Sequence, residues 1–178
     1  LFHIMDGPNK IEELLIRIPR TGTTSIIESL RNRKINNRIV FAFARNPIDR
    51  FISSYFFLKK QQHNRLFPAR IKESRYLKKF KNIEDFLNSK NIEKLFYFKS
   101  LERFTSYSIS HWGIFEKFEQ SFDVLCKKLN VKPTQLKKIN CGARGFIAKK
   151  DMYLIKEFCK KDIEIYNQIK TISEKEFF

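Results

Sequence analysis

The chain reads as an α/β protein, with strands alternating with helices around a sheet. The first sign is the apolar run "ELLIRI", which breaks into the small-residue turn "PRTGTTS" and then into the helical pattern "IIESL". The second is "RIVFAFA", apolar, β-branched and aromatic throughout, as a strand buried on both faces of a parallel sheet must be. The third is size. At 178 residues, 42% of them hydrophobic and 19 of them Phe, the chain suits one domain over 1–178 with a packed aromatic core.

Taken in order, the pattern predicts a strand over 13–18, the turn, and a helix from about Thr24 to Asn32. A second strand over 38–44 stops at Arg45, and Asn46-Pro47 break it. Proline is favoured in a first helical turn, so a helix over 47–60 follows. The stretch 59–81 is basic and polar with aromatic punctuation. Asn82, with Asp85 three residues on, resembles a capping box that opens a short helix through Asn88. "LFYF" reads as a strand or a buried turn and "HWGIF" as a strand, with helices from there to the end. Met152, Ile155, Cys159, Ile163, Tyr166 and Ile169 recur at helical spacing and form one core stripe.

The turn after the first strand has the makings of an anion site. A helix N-terminus offers unpaired N–H groups and partial positive charge, and Thr and Ser hydroxyls add donors. Gly22 lets backbone approach a ligand closely, and Arg20 brings a fixed charge. The same residues would also serve as a plain strand-to-helix turn capped by Thr23 or Thr24. Neither the G-x-x-x-x-G-K-[ST] phosphate loop nor the G-x-G-x-x-G dinucleotide fingerprint is present.

"FAFARNPIDRFISSYFF" supplies the second half. Arg45 falls at the carboxyl end of a strand, where open α/β sheets bind ligands. Ser53 lies about two turns into the next helix, placed to converge with Arg45 on one anion. Asp49 and Arg50 read as structural residues that pair with neighbours.

With both loops in view, "IPRTGTTS" followed by "RNPIDRFISSY" resembles the sulfotransferases that use 3′-phosphoadenosine 5′-phosphosulfate (PAPS). "WGIFEKFEQSFDVLCKKLNV" and "KDIEIYNQI" are similar, more loosely, to later segments of the carbohydrate branch, the heparan and chondroitin enzymes and their bacterial relatives. The resemblance implies a P-loop-like three-layer sandwich with a central, mostly parallel sheet flanked by helices. It implies that Arg20 replaces the usual loop lysine, with Thr21, Gly22, Thr23, Thr24 and Ser25 around the 5′ phosphosulfate. Arg45 and Ser53 take the 3′-phosphate roles. Arg144, in the late loop "NCGARGFIAKK", becomes a candidate for a 3′-phosphate or adenine contact, with a solvated loop as its other reading. The reaction implied is sulfuryl transfer from PAPS, leaving 3′-phosphoadenosine 5′-phosphate (PAP), to a hydroxyl of a carbohydrate or similar acceptor. The family usually inserts more chain between its two loops than positions 21–44 provide here, and that insertion often carries acceptor contacts and the base.

An acceptor hydroxyl needs a general base, commonly His or Glu. Of His3, His63 and His111, His63 in the basic stretch is the candidate for the site; His111 reads as a structural residue; Glu28 faces either way on its helix. Cys126, Cys141 and Cys159 lack metal spacing, and no metal site is expected. The balance of 36 Lys and Arg against 19 Asp and Glu gives a net charge of +17, which calls for an anionic partner. The stretch 59–81 carries nine cations against the single Glu73, which favours an acidic oligosaccharide as acceptor. Two readings stand behind the sulfotransferase: a PAP- or PAPS-binding homologue without turnover, and a basic nucleic-acid-binding protein. No stretch nears the roughly 18 apolar residues of a membrane span, and no signal peptide is visible. The location expected is cytoplasmic for a bacterial or viral protein, and the Golgi lumen for a eukaryotic one whose anchor has been removed.

Overall fold

A computed structural model describes residues 10–60, 68–132, 134–137 and 145–177. The elements run α1 (Ile11–Leu14), β1 (Leu15–Ile16), α2 (Thr23–Leu30), β2 (Phe41–Ala44), α3 (Pro47–Lys60), α4 (Pro68–Leu77), α5 (Ile83–Leu87), α6 (Glu102–Thr105), β3 (His111–Ile114), α7 (Phe118–Lys128), α8 (Lys149–Phe158) and α9 (Lys160–Glu174). The fold is mixed α/β, with a three-stranded parallel sheet in the order β1-β2-β3. Leu15 pairs with Phe41, and β2 pairs with β3 from Phe41↔His111 to Ala44↔Ile114. Contacts group the described residues into two compact units, one of 10–44, 107–137 and 169–177, the other of 45–106 and 145–168.

The first unit holds the sheet. All four β2 residues are buried, as the uninterrupted apolar run requires of a central parallel strand. Ile11 and Leu14 of α1, Leu15 of β1, Ile26 and Leu30 of α2, and Phe122, Leu125 and Cys126 of α7 close one apolar cluster over Phe41 and Phe43. Ser121 ties α7 to the sheet: its Oγ accepts from Ile114 N at 2.9 Å and donates to Ile114 O at 3.2 Å. The connection from α2 to β2 is short and ordered, with Ile35 fully buried and Asn37 Nδ2 donating to Lys128 O at 2.7 Å.

The second unit is a helical cluster with an aromatic centre. Phe51, Tyr55 and Leu58 recur along α3 at i, i+4 and i+7 and face Phe86, Tyr97, Phe98, Ile155 and Cys159. Phe51 meets Phe98 edge-on at 5.1 Å and Phe86 meets Phe98 at 4.9 Å, arrangements worth roughly 0.5–1.5 kcal/mol per pair beyond area burial.

Local signals set some bounds and not others. α3 spans the residues its Pro47 start predicted, and Asn46 Oδ1 caps it by accepting from Ile48 N (3.1 Å) and Asp49 N (3.3 Å). Asn82 Oδ1 accepts from Asp85 N at 2.8 Å, one half of the expected capping box. The strand expected over 13–18 is two residues, preceded by a helical turn. Ile11, Leu14 and Leu15 are spaced to bury together on one helical face, and they do. The strand expected over 38–44 begins at Phe41, although Val40 O still accepts from Ser110 N at 2.7 Å. Of the two readings of "LFYF", strand or buried turn, the structure has the turn: Phe96–Phe98 form a short 3₁₀ turn with Tyr97 and Phe98 buried. No helix among the described residues is long and apolar enough to cross a membrane.

Candidate functional site

The cradle begins where β1 ends. Pro19 and Arg20 turn the chain, and Arg20 (φ 64°) and Gly22 (φ 80°) both adopt the left-handed conformation. That conformation costs a non-glycine residue about 1–2 kcal/mol, so its presence at Arg20 marks a backbone shape held for a purpose. Thr21 is fully buried, and its hydroxyl donates to Ile18 O at 2.9 Å, which braces the turn from within. α2 then starts at Thr23. Its cap position is Gly22, which has no side-chain oxygen to occupy the first N–H groups, and its first turn carries no acid. Thr23 is half-buried, Thr24 exposed and Ser25 buried.

An aromatic wall stands beside this loop. A Cβ built at Gly22 would run into the tip of the Phe118 ring, so glycine here serves both the left-handed turn and a close approach. Phe118 stacks edge-on against Phe43 at 5.4 Å and leans on Phe115 at 5.2 Å. Phe115, Phe118 and Leu136, with Glu116 and Glu119, line an open cleft of about 480 Å³. The spacing within "WGIFEKFEQ" carries no sign that Phe115 and Phe118 stand at a site. Nothing in local spacing brings residue 118 to residue 22.

Arg45 follows the carboxyl end of β2 and is buried, with 8% of its surface exposed. Ser53 is half-buried on α3, whereas its neighbour Ser54 is fully buried and donates to Tyr97 O at 3.2 Å. The helix thus separates the two serines, with Ser54 in the core. Arg50 is structural: Nη2 donates to Asp162 Oδ2 at 3.0 Å and to Lys99 O at 2.8 Å. Asp162 Oδ1 also accepts from Ser100 Oγ at 2.6 Å and Leu101 N at 2.9 Å. Arg20 to Ser25 belong to the first unit and Arg45 and Ser53 to the second.

The candidate bases part company. His63 and Arg144 lie outside the described residues, as do His3 and Cys141. Gly145, next to Arg144, sits so close to Phe56 of α3 that a Cβ would overlap the ring. His111 is buried, its Nδ1 2.7 Å from Glu176 Oε2, and burial holds the imidazole below its ordinary value against the pull of Glu176. Glu28 forms an ion pair with Arg31 one turn along. Cys126 and Cys159 are buried thiols pushed up to about 11 and about 12, first by burial and then by Asp123 and Asp162 respectively. Among the described residues no cluster of His, Cys, Asp and Glu is placed to hold a metal ion.

In the basic stretch the cations Lys59, Lys60, Lys72, Arg75, Lys78, Lys79 and Lys81 are exposed. The lone acid turns inward: Glu73 is buried and accepts from Phe96 N (2.5 Å) and Tyr97 N (3.3 Å), while burial raises its pKa. The chain matches no protein-family model, no curated protein and no solved structure.

Proposed function

We propose that this chain is a PAPS-dependent sulfotransferase acting on a hydroxyl of a carbohydrate or similar acceptor, with a P-loop-like three-layer fold. The observation that carries the reading is the cradle: left-handed Arg20 and Gly22 leading into a glycine-capped α2 at the carboxyl end of β1. A helix N-terminus without a side-chain cap, threonine and serine hydroxyls and a guanidinium in one short loop fit a phosphate-like dianion. Phe115 and Phe118 add a flat apolar wall beside it, suited to a nucleotide base. The resemblance gives the 3′ phosphate, which separates PAPS from a plain mononucleotide, to Arg45, buried after β2, and Ser53 on α3.

When bound, PAPS supplies an activated sulfuryl group and a phosphate leaving group. Arg20 stabilises the negative charge that develops on the leaving phosphate, where a fixed cation is worth most in the transition state. An Arg stays charged at neutral pH, so its contribution is electrostatic and proton delivery falls to other groups. The α2 N-terminus and the hydroxyls of Thr23, Thr24 and Ser25 add donors, while Thr21 acts through the shape of the loop. His63 is the candidate base. The exposed cations of 59–81, freed of their one acid by the burial of Glu73, suit an acidic oligosaccharide.

Transfer of labelled sulfate from PAPS across a panel of acidic and neutral glycans tests the activity. Label should pass to an acidic oligosaccharide in preference to a neutral one, and Arg20→Ala should lower the rate by about a hundredfold or more. Nucleotide binding with no label on any acceptor would instead mark a homologue that binds without turnover.

A further inference from the structure

One face of α8 carries a row of side chains that the fold does not use. Lys149, Tyr153 and Lys156 recur at i, i+4 and i+7, and Lys160 follows at the start of α9. Just before the helix, Phe146 is 92% exposed, and Tyr153 is 64% exposed. The opposite face is spoken for: Ile155 is fully buried, and Met152 and Phe158 pack against the core of the second unit. The neighbouring lysines are engaged, Lys150 with Glu84 at 2.7 Å and Lys161 with Glu102 at 2.8 Å. Lys149, Lys156 and Lys160 form no ion pair among the described residues, and the acids nearest the row are Glu157 and Glu164, both exposed.

We propose that this face of α8 docks the protein on an anionic lipid surface, with Phe146 and Tyr153 entering the headgroup layer and Lys149, Lys156 and Lys160 over the lipid phosphates. Shape decides between lipid and a soluble polyanion. Both rings protrude, and among the described residues neither has an aromatic neighbour with which to form a slot for a base or a sugar. A bilayer interface envelops a protruding ring from all sides and suits the amphipathic Tyr. Lys149 and Lys156 lie about 10 Å apart along α8 and Lys160 opens α9, and a planar charged surface meets such a row with no register to satisfy. The inference is independent of the sulfotransferase reading, which it neither needs nor tests.

Co-sedimentation with phosphatidylcholine vesicles, with and without about 30% phosphatidylserine, measures the docking at about 150 mM salt. The full chain should pellet with the anionic vesicles only. Lys149→Glu with Lys156→Glu should weaken partitioning at least about tenfold, as should Phe146→Ser with Tyr153→Ser. The same charge reversals at Lys78 and Lys79 should have a much smaller effect. All these positions are exposed, so thermal midpoints should stay at the parent value. A Phe146→Trp reporter should shift its emission to the blue on anionic vesicles. Unchanged binding by the α8 variants, or equal losses from the Lys78 and Lys79 control, would reduce the effect to net charge and overturn the proposal. So would a Trp reporter that responds to heparin or single-stranded RNA and not to vesicles.

Discussion

A methyl group added at position 22 meets two obstacles, the ring of Phe118 and a φ of 80° that side chains rarely adopt. Gly22→Ala should therefore lower the thermal midpoint and reduce affinity for PAP by tenfold or more. Pairing it with Phe118→Leu should recover part of the stability by relieving the clash and leave the backbone cost of about 1–2 kcal/mol. If Gly22→Ala alone binds PAP like the parent, the loop is a plain capped turn. Arg50 is as unforgiving for a different reason. Arg50→Met would leave Asp162 a buried carboxylate without its cation, and denaturant unfolding should register a loss of about 3–5 kcal/mol. Arg45→Ala should lower PAP affinity by about 2 kcal/mol, the value of a charge-assisted contact.

The elements most legible in the sequence are those whose signals are local. Pro47 and Asn46 start α3 and Asn82 starts α5, and each can be read from a residue and its next three neighbours. Asn82→Ala should cost about 1 kcal/mol, a typical cap value. Strand bounds are a different matter, because a ladder extends only as far as its partner does. The partners of β2 are β1 and β3, the latter some seventy positions on, so no local pattern could show that pairing starts at Phe41 and not at Arg38. The chain's last turn has a device of its own. Glu176, in the 3₁₀ turn after α9, receives Lys128 Nζ at 2.8 Å and lies 2.7 Å from His111 Nδ1, tying that turn to α7 and β3. Burial holds His111 below its ordinary 6.5, and the backbone of Ser121 and the Lys128 ammonium also face the ring. Because the unfolded chain takes up that proton first, stability present above about pH 6.5 should be lost as pH falls toward the depressed folded value. Burial pushes Glu176 up, but the bonds from Lys128 and His111 prevail and hold it below 4.5, so its contribution is lost at still lower pH. Thermal midpoints of the parent should drop between about pH 7 and pH 5, and His111→Phe should flatten that window.

On the scale of the whole molecule, the sequence showed the class of fold and the separate loops but not how residues group in space. Arg20 to Ser25 could be picked out as a cradle because Gly, Thr and Ser follow a strand signal. The Phe118 wall could not, because it reaches the cradle through tertiary packing from the far side of β3. Nor could the inward turn of Glu73, which spends its carboxylate on the backbone of Phe96 and Tyr97. The thiols show the same burial from another side. With Cys126 and Cys159 pushed up to about 11 and about 12, neither should react with a thiol reagent at neutral pH until the protein unfolds. A net charge of +17 draws many anions, so the decisive question is whether one anion is recognised by shape. Titration calorimetry at about 150 mM salt with PAP and with AMP, which lacks the 3′ phosphate, answers it most directly. The expected result is a 1:1 complex with PAP that AMP cannot equal, weakened by Arg45→Ala for PAP but hardly changed for AMP. Equal affinity for the two nucleotides, or a PAP affinity indifferent to Arg45, would contradict the assignment.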